Sequence, residues 1–402
     1  MQKNKIKILN TNYSNDNNLN NEIYFSSDEG TNNTKKLFLS NPQKKKLKKL
    51  KSNLKLNSIY DNKNSYKKIF SLPYINQKCK IKYISMTQKG TKNINQDNYL
   101  IKENILNIKD YFIFSIFDGH GIDGYYISKI AKNEFNDYFT NHSNLYYIPR
   151  TKKDNLNILN NETDFLNKYI SIDEIYTRLS FNNFKIIKNF YNQIDNKLKK
   201  KDCDSDFSGT TNCSIFIIGN HLICSNLGDS RAILIRKNNE IYNLSNDHKP
   251  NIKNEYERII KKNGEIRKNN IDINNNFIDY NEINLNIKIP FRVFLKNKNI
   301  PGLAMSRSIG DFIAKKVGVI NEPEILDIII NNNDKFIILA SDGLWEFVSN
   351  EDVRDIVNKY YKDFNLKDAV KDLINFARKK FENVGKYVDD ITIILIFLNV
   401  EE

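Results

Sequence analysis

From residue 81 onward the apolar positions fall into short, regularly bounded runs, whereas residues 1 to about 75 show no sustained period. Lys82-Tyr-Ile-Ser85, Asn98-Tyr-Leu-Ile101 and Tyr111 to Phe117 are β-rich and flanked by Gly, Asn or Asp, which predicts three strands. Tyr125 to Phe135 carries apolar residues at helical spacing, and a second helical pattern covers about 164 to 200. A polar loop, Asn141 to Asn161, separates them. Thr210 to Leu244 predicts a meander that reverses at Gly219-Asn220 and again at Arg236-Lys-Asn-Asn-Glu240. Strands this close in sequence pair antiparallel. Residues 251 to 263 predict a helix ended by Gly264, since glycine adopts the left-handed C-terminal conformation at little cost. After an Asn/Ile-rich insert to about 290 come a strand at 336–341, helices near 350–361 and 366–384, and a closing strand at 391–398. Strand clusters alternating with helix pairs predict an α+β chain: two packed antiparallel sheets flanked by helices.

Composition refines this picture. The chain has 402 residues, 40% of them hydrophobic and 12% aromatic, enough for a substantial core. Its formal charge is +14, but residues 1 to 70 alone hold 15 Lys against 5 acidic residues. Basicity therefore belongs mainly to the polar Asn/Lys/Ser-rich extension, which buries too little apolar surface to offset the cost of ordering it. We expect residues 1–75 to be a mostly disordered basic extension and 76–402 a folded domain with inserts near 141–161 and 265–300. Within the extension, Lys44-Lys-Lys-Leu-Lys-Lys-Leu-Lys51 has two readings, a nuclear-import or anionic-surface patch and a solvated charge run. Cys79, Cys203, Cys213 and Cys224 form no Cys-x-x-Cys pair, which argues against a zinc site or disulfide framework and for a reducing compartment. No apolar run approaches the roughly 18–20 residues of a membrane span, no signal-peptide core opens the chain, and Gln2 excludes N-myristoylation. Cytoplasmic or nuclear residence is the expectation.

The candidate chemistry lies where strands end. Phe114-Ser-Ile-Phe-Asp118-Gly-His-Gly121 and Phe336-Ile-Ile-Leu-Ala-Ser-Asp342-Gly-Leu-Trp345 both deliver Asp-Gly at the end of an apolar run, and Asp389 stands just before the closing strand. One such Asp-Gly is an ordinary turn. Three aspartates placed this way suggest oxygen ligands for hard divalent cations. Two ions sharing a water lower its pKa and neutralise charge on a phosphoryl group, so no side-chain nucleophile is needed.

Asn95-Gln96-Asp97, Phe117-Asp118-Gly-His-Gly121, Ser208-Gly-Thr-Thr211, Asn226-Leu-Gly-Asp229-Ser-Arg231, Gly302 to Asp311, Glu322-Pro-Glu324, Ala340 to Trp345 and Asp389-Asp-Ile-Thr392 follow one another along residues 80–399. In this order the chain resembles the PPM-type (protein phosphatase 2C-like) metal-dependent protein serine/threonine phosphatases. The resemblance implies a four-layer α/β/β/α sandwich and two Mg²⁺ or Mn²⁺ ions, with a weaker third. It also implies phosphorylated proteins as substrates and a monomeric enzyme, with no specific nucleic-acid partner. Carried over by position, Asp118 matches a bridging ligand, Gly119 a carbonyl ligand, Asp342 and Asp389 the remaining carboxylates, and Asp229 a third-ion ligand. His120 matches a general acid, and Lys92 a phosphate-binding cation that acts as a point charge.

Three positions depart from the pattern: Gln96 for a glutamate, Asp390 for an asparagine beside Asp389, and Glu346 for an aspartate. For Asp390, tighter metal binding and simple solvation both stay open. Arg307 and Asp311 are expected to brace the loop over the site through a salt bridge, and Ser208-Gly-Thr-Thr211 to be a structural turn. Two other readings compete with the phosphatase. A catalytically silent scaffold requires a missing carboxylate, and a nucleic-acid binder rests on the extension's charge alone.

Overall fold

Ile391–Phe397 and Asn212–Ile218 are buried along their whole length, so each has an apolar layer on both faces. The computed structural model describes residues 80–141, 171–268, 290–385 and 387–398, which fall in one unit, Gln77–Glu402. The basic extension, the Asn141 to Asn161 loop apart from its first residue, and the middle of the 265–300 insert lie outside the described residues.

The strands run Lys82–Gln88 (β1), Asn98–Lys102 (β2), Tyr111–Phe117 (β3), Gly119–His120 (β4), Gly209–Thr210 (β5), Asn212–Ile218 (β6), His221–Leu227 (β7) and Arg231–Arg236 (β8). They continue with Ile241–Asn243 (β9), Gly264–Lys268 (β10), Phe291–Leu295 (β11), Pro301–Leu303 (β12), Ile309–Gly310 (β13), Glu324–Ile329 (β14), Asp334–Ala340 (β15) and Ile391–Phe397 (β16). The helices are Gly124–Thr140 (α1), Ile172–Leu198 (α2), Lys253–Lys261 (α3), Phe312–Lys315 (α4), Asp342–Trp345 (α5), Asn350–Tyr361 (α6) and Leu366–Val384 (α7). None is long and apolar enough to cross a membrane among the described residues.

Two five-stranded antiparallel sheets dominate, ordered β1-β16-β15-β8-β9 and β14-β7-β6-β3-β2. The period of two along each strand sorts side chains between faces. From β16, Ile394 and Ile396 join Ile337 and Leu339 of β15, Phe114 and Ile116 of β3, and Ile215 and Ile217 of β6 in one apolar cluster. The alternate residues Ile391, Ile393, Leu395 and Phe397 face the other way, against Val353, Ile356 and Val357 of α6 and Ala369, Leu373 and Ala377 of α7. On the second sheet, Tyr111, Ile113 and Phe117 of β3 meet Ile127, Ala131, Phe135 and Phe139 of α1 and Ile187 and Phe190 of α2. In α1 those contacts recur every fourth residue, the spacing of one helix face. The chain is thus mixed α and β, with antiparallel sheets.

The sequence pattern placed most of these elements, with instructive departures. Helix α3 ends before Asn263, which takes the left-handed conformation at φ 58°, while Gly264 instead opens β10. Asparagine tolerates that region, and Gly264 is needed because an added Cβ would lie 2.6 Å from the Ile259 side chain. The 265–300 insert is not featureless. Its two ends form β10 and β11, paired from Gly264 with Leu295 to Lys268 with Phe291. Strand β14 went unread in the sequence because its mixture of Glu, Asp and Ile lacks an alternating pattern; it forms an edge on β7.

Glu255 of α3 ties this helix to the segment before β13. It accepts hydrogen bonds from Arg258, from Ser306 Oγ and from both Nε and Nη2 of Arg307. Burial alone raises its pKa, but these three donors outweigh burial and hold the carboxyl well below the ordinary carboxylate range. A folded-state pKa below the unfolded value contributes stability that is complete above about pH 4.3 and fades as pH falls through the folded value. We expect Glu255→Ala to cost about 1.5–3 kcal/mol, the scale of hydrogen bonds to a charged group, because it removes the carboxylate shared by Arg258, Arg307 and Ser306 while both arginines keep backbone acceptors. Denaturant unfolding at pH 7 checks the loss, and Glu255→Gln should show a flatter loss of stability below pH 4 than the parent.

Candidate active site

Antiparallel register brings distant aspartates to one end of the sheets. Pairing of Asn98 with Phe117 sets Asp97, just before β2, beside Asp118, just after β3. Pairing of Ala340 with Ile393 sets Asp342 near Asp389 and Asp390, with Ser341 N donating to Thr392 O at 3.0 Å. The two sheets meet where Asp342 N donates to Asp118 Oδ2 at 3.4 Å. Asp118, Gly119, His120, Asp342, Asp389 and Lys92 all line one cleft of about 650 Å³. Asp229 does not. It lines an adjoining cavity with Lys249 and Glu346, and Asp342 is common to both.

The backbone around Asp118 is fixed from β5. Thr210 Oγ1 and Thr211 N donate to Asp118 O, at 3.0 and 2.9 Å, and Asp118 N donates to Thr211 Oγ1 at 3.2 Å. Ser208-Gly-Thr-Thr211, expected as a structural turn, is instead extended: Gly209–Thr210 is β5, paired on both sides with β4 and β13, directly under the candidate ligand. Gly119 sits so close to the start of α1 that a Cβ would fall 2.3 Å from Gly124 O and 2.6 Å from Gln96 O.

The electrostatics is dominated by half-buried and buried carboxylates. Burial, followed by repulsion from neighbouring aspartates, raises the pKa of Asp118 and of Asp342 well above the usual range. Asp97 is pushed up to about 8, chiefly by burial, although Ser341 Oγ donates to its Oδ2 at 2.8 Å. Two lysines answer this charge. Lys92 Nζ lies 2.8 Å from Asp389 Oδ1, and Lys249 pairs with Asp229. With those partners engaged, no three His, Cys, Asp or Glu side chains close into a ready-made cage among the described residues.

The donor set nevertheless suits hard divalent cations: every candidate side chain offers carboxylate oxygen, and Asp229 Oδ1 is buried with no hydrogen-bond partner. Cations would relieve the mutual repulsion that raises Asp118 and Asp342.

His120 donates from Nε2 to Asp311 Oδ2 at 2.8 Å, and its Nδ1 has no partner. Burial disfavours the imidazolium, but Asp311 outweighs it, so the pKa lies above the ordinary value. Asp311 thus serves His120 and makes no bridge to Arg307, contrary to the sequence expectation. Arg307 turns instead to Glu255, a buried carboxylate within reach of its fork. Asp390 is neither solvated nor turned to the cleft. It is 2% exposed and accepts from Gly90 N and Gln96 N, at 2.8 and 2.9 Å, pinning the loop that carries Lys92. Gln96 donates from Nε2 to Gly121 O at 2.7 Å, closing that loop onto the next.

Sequence reasoning gave no role to Asp97 or Lys249. The strand-end rule that singled out Asp118 applies equally to the start of β2 and reaches Asp97. Lys249 carried no such signal, since only the fold brings it to Asp229.

The Protein phosphatase 2C family model matches residues 153–382. Probable protein phosphatase 2C 61 of Arabidopsis thaliana is 31% identical over 315 residues, spanning 77% of this chain and 82% of that protein. Rice (Oryza sativa subsp. japonica) probable protein phosphatase 2C 14 is 31% identical over 330 residues, 79% of this chain and 60% of that protein. Among solved structures, serine-threonine phosphatase 2C from Toxoplasma gondii shares the fold, with a TM-score of 0.61 at 19% identity over 79% of this chain and 95% of that one. This chain belongs to the protein phosphatase 2C family. It is a phosphatase, a hydrolase of the metal-dependent serine/threonine class.

Gly119→Ala tests the tight packing under the cleft. We expect a loss of about 1–3 kcal/mol, the usual cost of overpacking, together with a fall in phosphatase activity. Thermal melting and p-nitrophenyl phosphate turnover measured on the same preparation check it; unchanged values for both would contradict the contact.

Proposed function

We propose that this enzyme hydrolyses phosphoserine and phosphothreonine monoesters in proteins by direct attack of water, using two Mg²⁺ or Mn²⁺ ions. The observation that carries this reading is the convergence of Asp118, Asp342, Asp389 and Lys92 on one cleft. Asp118 is assigned as the shared ligand, Asp342 and Asp389 as carboxylates to single ions, and Gly119 as a carbonyl donor. Asp229, next door and sharing Asp342, is assigned to a weaker third ion. When bound, the ions supply a water of lowered pKa and neutralise charge on the phosphoryl oxygens.

The chain's own groups do the rest. Lys92 offers a point charge to a phosphoryl oxygen and orients the ester. His120, held through Nε2 by Asp311, carries a proton at Nδ1 for the departing alkoxide. Glu346 lines the third-ion cavity, where its raised pKa, from burial foremost, fits a carboxyl awaiting a cation.

The architecture we infer is the four-layer α/β/β/α sandwich, supported by separate apolar clusters outside each sheet and between them. We assign residues 1–75 to an extension and 76–402 to the catalytic domain. The enzyme is read as a monomer acting on phosphoproteins in the cytoplasm or nucleus. A silent scaffold is disfavoured because no candidate carboxylate is missing.

Asp118→Asn should lower manganese-dependent turnover of p-nitrophenyl phosphate by more than about a hundredfold, since even residues behind metal ligands cost roughly 10–100-fold. Retained turnover would sink the assignment. His120→Ala should slow a phosphothreonine peptide by about 10²-fold or more and p-nitrophenyl phosphate, with its good leaving group, much less; equal slowing of both counts against the acid role. Deleting residues 1–70 should leave kcat/KM on the peptide unchanged within error.

A further inference from the structure

Large apolar side chains rarely stand free on loops that are themselves tied down, and scattered single cases need no explanation. Here they are not scattered. Ile122 is 87% exposed, Ile94 55%, Tyr387 53% and Phe207 43%, and all four line the cleft that holds Asp118 and Lys92. Each sits on a braced segment. Asp123 N, next to Ile122, donates to Ser208 Oγ, next to Phe207, at 3.0 Å, and Asp204 N donates to Asp123 Oδ2 at 2.7 Å. Ile94 lies on the loop pinned by Asp390 at Gly90 and Gln96, and Tyr387 donates from its hydroxyl to Asp389 Oδ1 at 3.3 Å. These side chains contribute little to the core, so folding does not account for their exposure.

We propose that this apolar collar selects substrates whose phosphorylated residue is flanked by bulky apolar side chains. The inference deepens the phosphatase reading and rests on it. The cleft, at about 650 Å³, has room for more than one phosphorylated side chain, and the collar is continuous with the part that handles phosphate. An extended peptide turns alternate side chains to the same side, so when the phosphoresidue enters the cleft towards Lys92, the residues two positions before and after it face the rim. The four collar side chains are themselves uncharged, and outside the Asp, His and Lys92 groups of the site the charged residue on this cleft is Arg292, which is tied to Gly302 O.

Two phosphothreonine peptides test this, one with Leu and Phe two positions before and after the phosphoresidue and the other with Ser and Gly there. Wild-type enzyme with Mn²⁺ should show at least about a tenfold higher kcat/KM on the apolar peptide, the scale on which small changes of apolar contact discriminate substrates. In Ile122→Ser and in Phe207→Ser that ratio should fall towards one. Equal kcat/KM on both peptides in the wild type would overturn the inference, and so would a ratio untouched by both variants. p-Nitrophenyl phosphate separates the two levels: if the wild type turns it over yet shows no peptide preference, only the collar is wrong. If it turns over neither, the phosphatase reading falls and this inference with it.

Discussion

Charge crowding at one end of the two sheets is the constraint on which the rest of this molecule depends. Asp97 is buried and Asp118 and Asp342 half-buried; loss of water raises all three pKa values foremost, and Asp389 raises each of them further. Two like charges about 4 Å apart repel by about 4 kcal/mol at an effective dielectric constant of 20. Against a whole-domain stability of about 5–15 kcal/mol, a few such pairs are a heavy load. Lys92 and Lys249 offset part of it, and divalent cations would offset more. The same repulsion that strains the fold makes the cleft receptive to metal, so binding and stabilisation are one effect here.

Holding these groups in place falls to the layers behind them. Strands β15 and β16 are covered on both faces, so the ends that carry Asp342 and Asp389 cannot drift independently. Close packing continues to the rim. A Cβ at Gly343 would lie 2.0 Å from Asp390 O, and one at Gly90 2.2 Å from Val388 O, so backbone meets backbone with no side chain between. Asp390 and Gln96 then lace the Lys92 loop to the Asp118 loop through hydrogen bonds to main-chain groups. Catalytic geometry of this kind tolerates little displacement, because a reacting group misplaced by about 1 Å can cost roughly a hundredfold in rate.

Beside the cleft, the small sheet β10-β11-β12 illustrates how an inserted segment is attached without loosening the site. Its base is anchored through Val293, Leu303 and Met305, which pack with Ile259 and Ala314 in a cluster of their own. Arg292 donates to Gly302 O at 2.7 Å, and Phe291 and Arg292 face the two adjoining cavities in turn. Loops mounted on such a base can vary while the carboxylates stay fixed.

By itself the sequence determined the strands and helices with a strong period. The runs ending at Asp118 and Asp342 and the strand after Asp389 were legible because apolar alternation and Asp-Gly stops are local signals. Helices α6 and α7 were legible for the same reason. The short elements β4, β5 and β13, two residues each, carry no period and exist only because Gly119, Thr210 and Ile309 pair across long stretches of chain. Tertiary structure alone decided the partners. Arg307 chose Glu255 over Asp311, Asp311 chose His120, Asp390 turned to two backbone amides, and Lys249 reached Asp229 in a cavity beside the main cleft. Such choices depend on distances between residues far apart in sequence and on which groups lose their water on folding, and neither quantity is written in the spacing of residues along the chain.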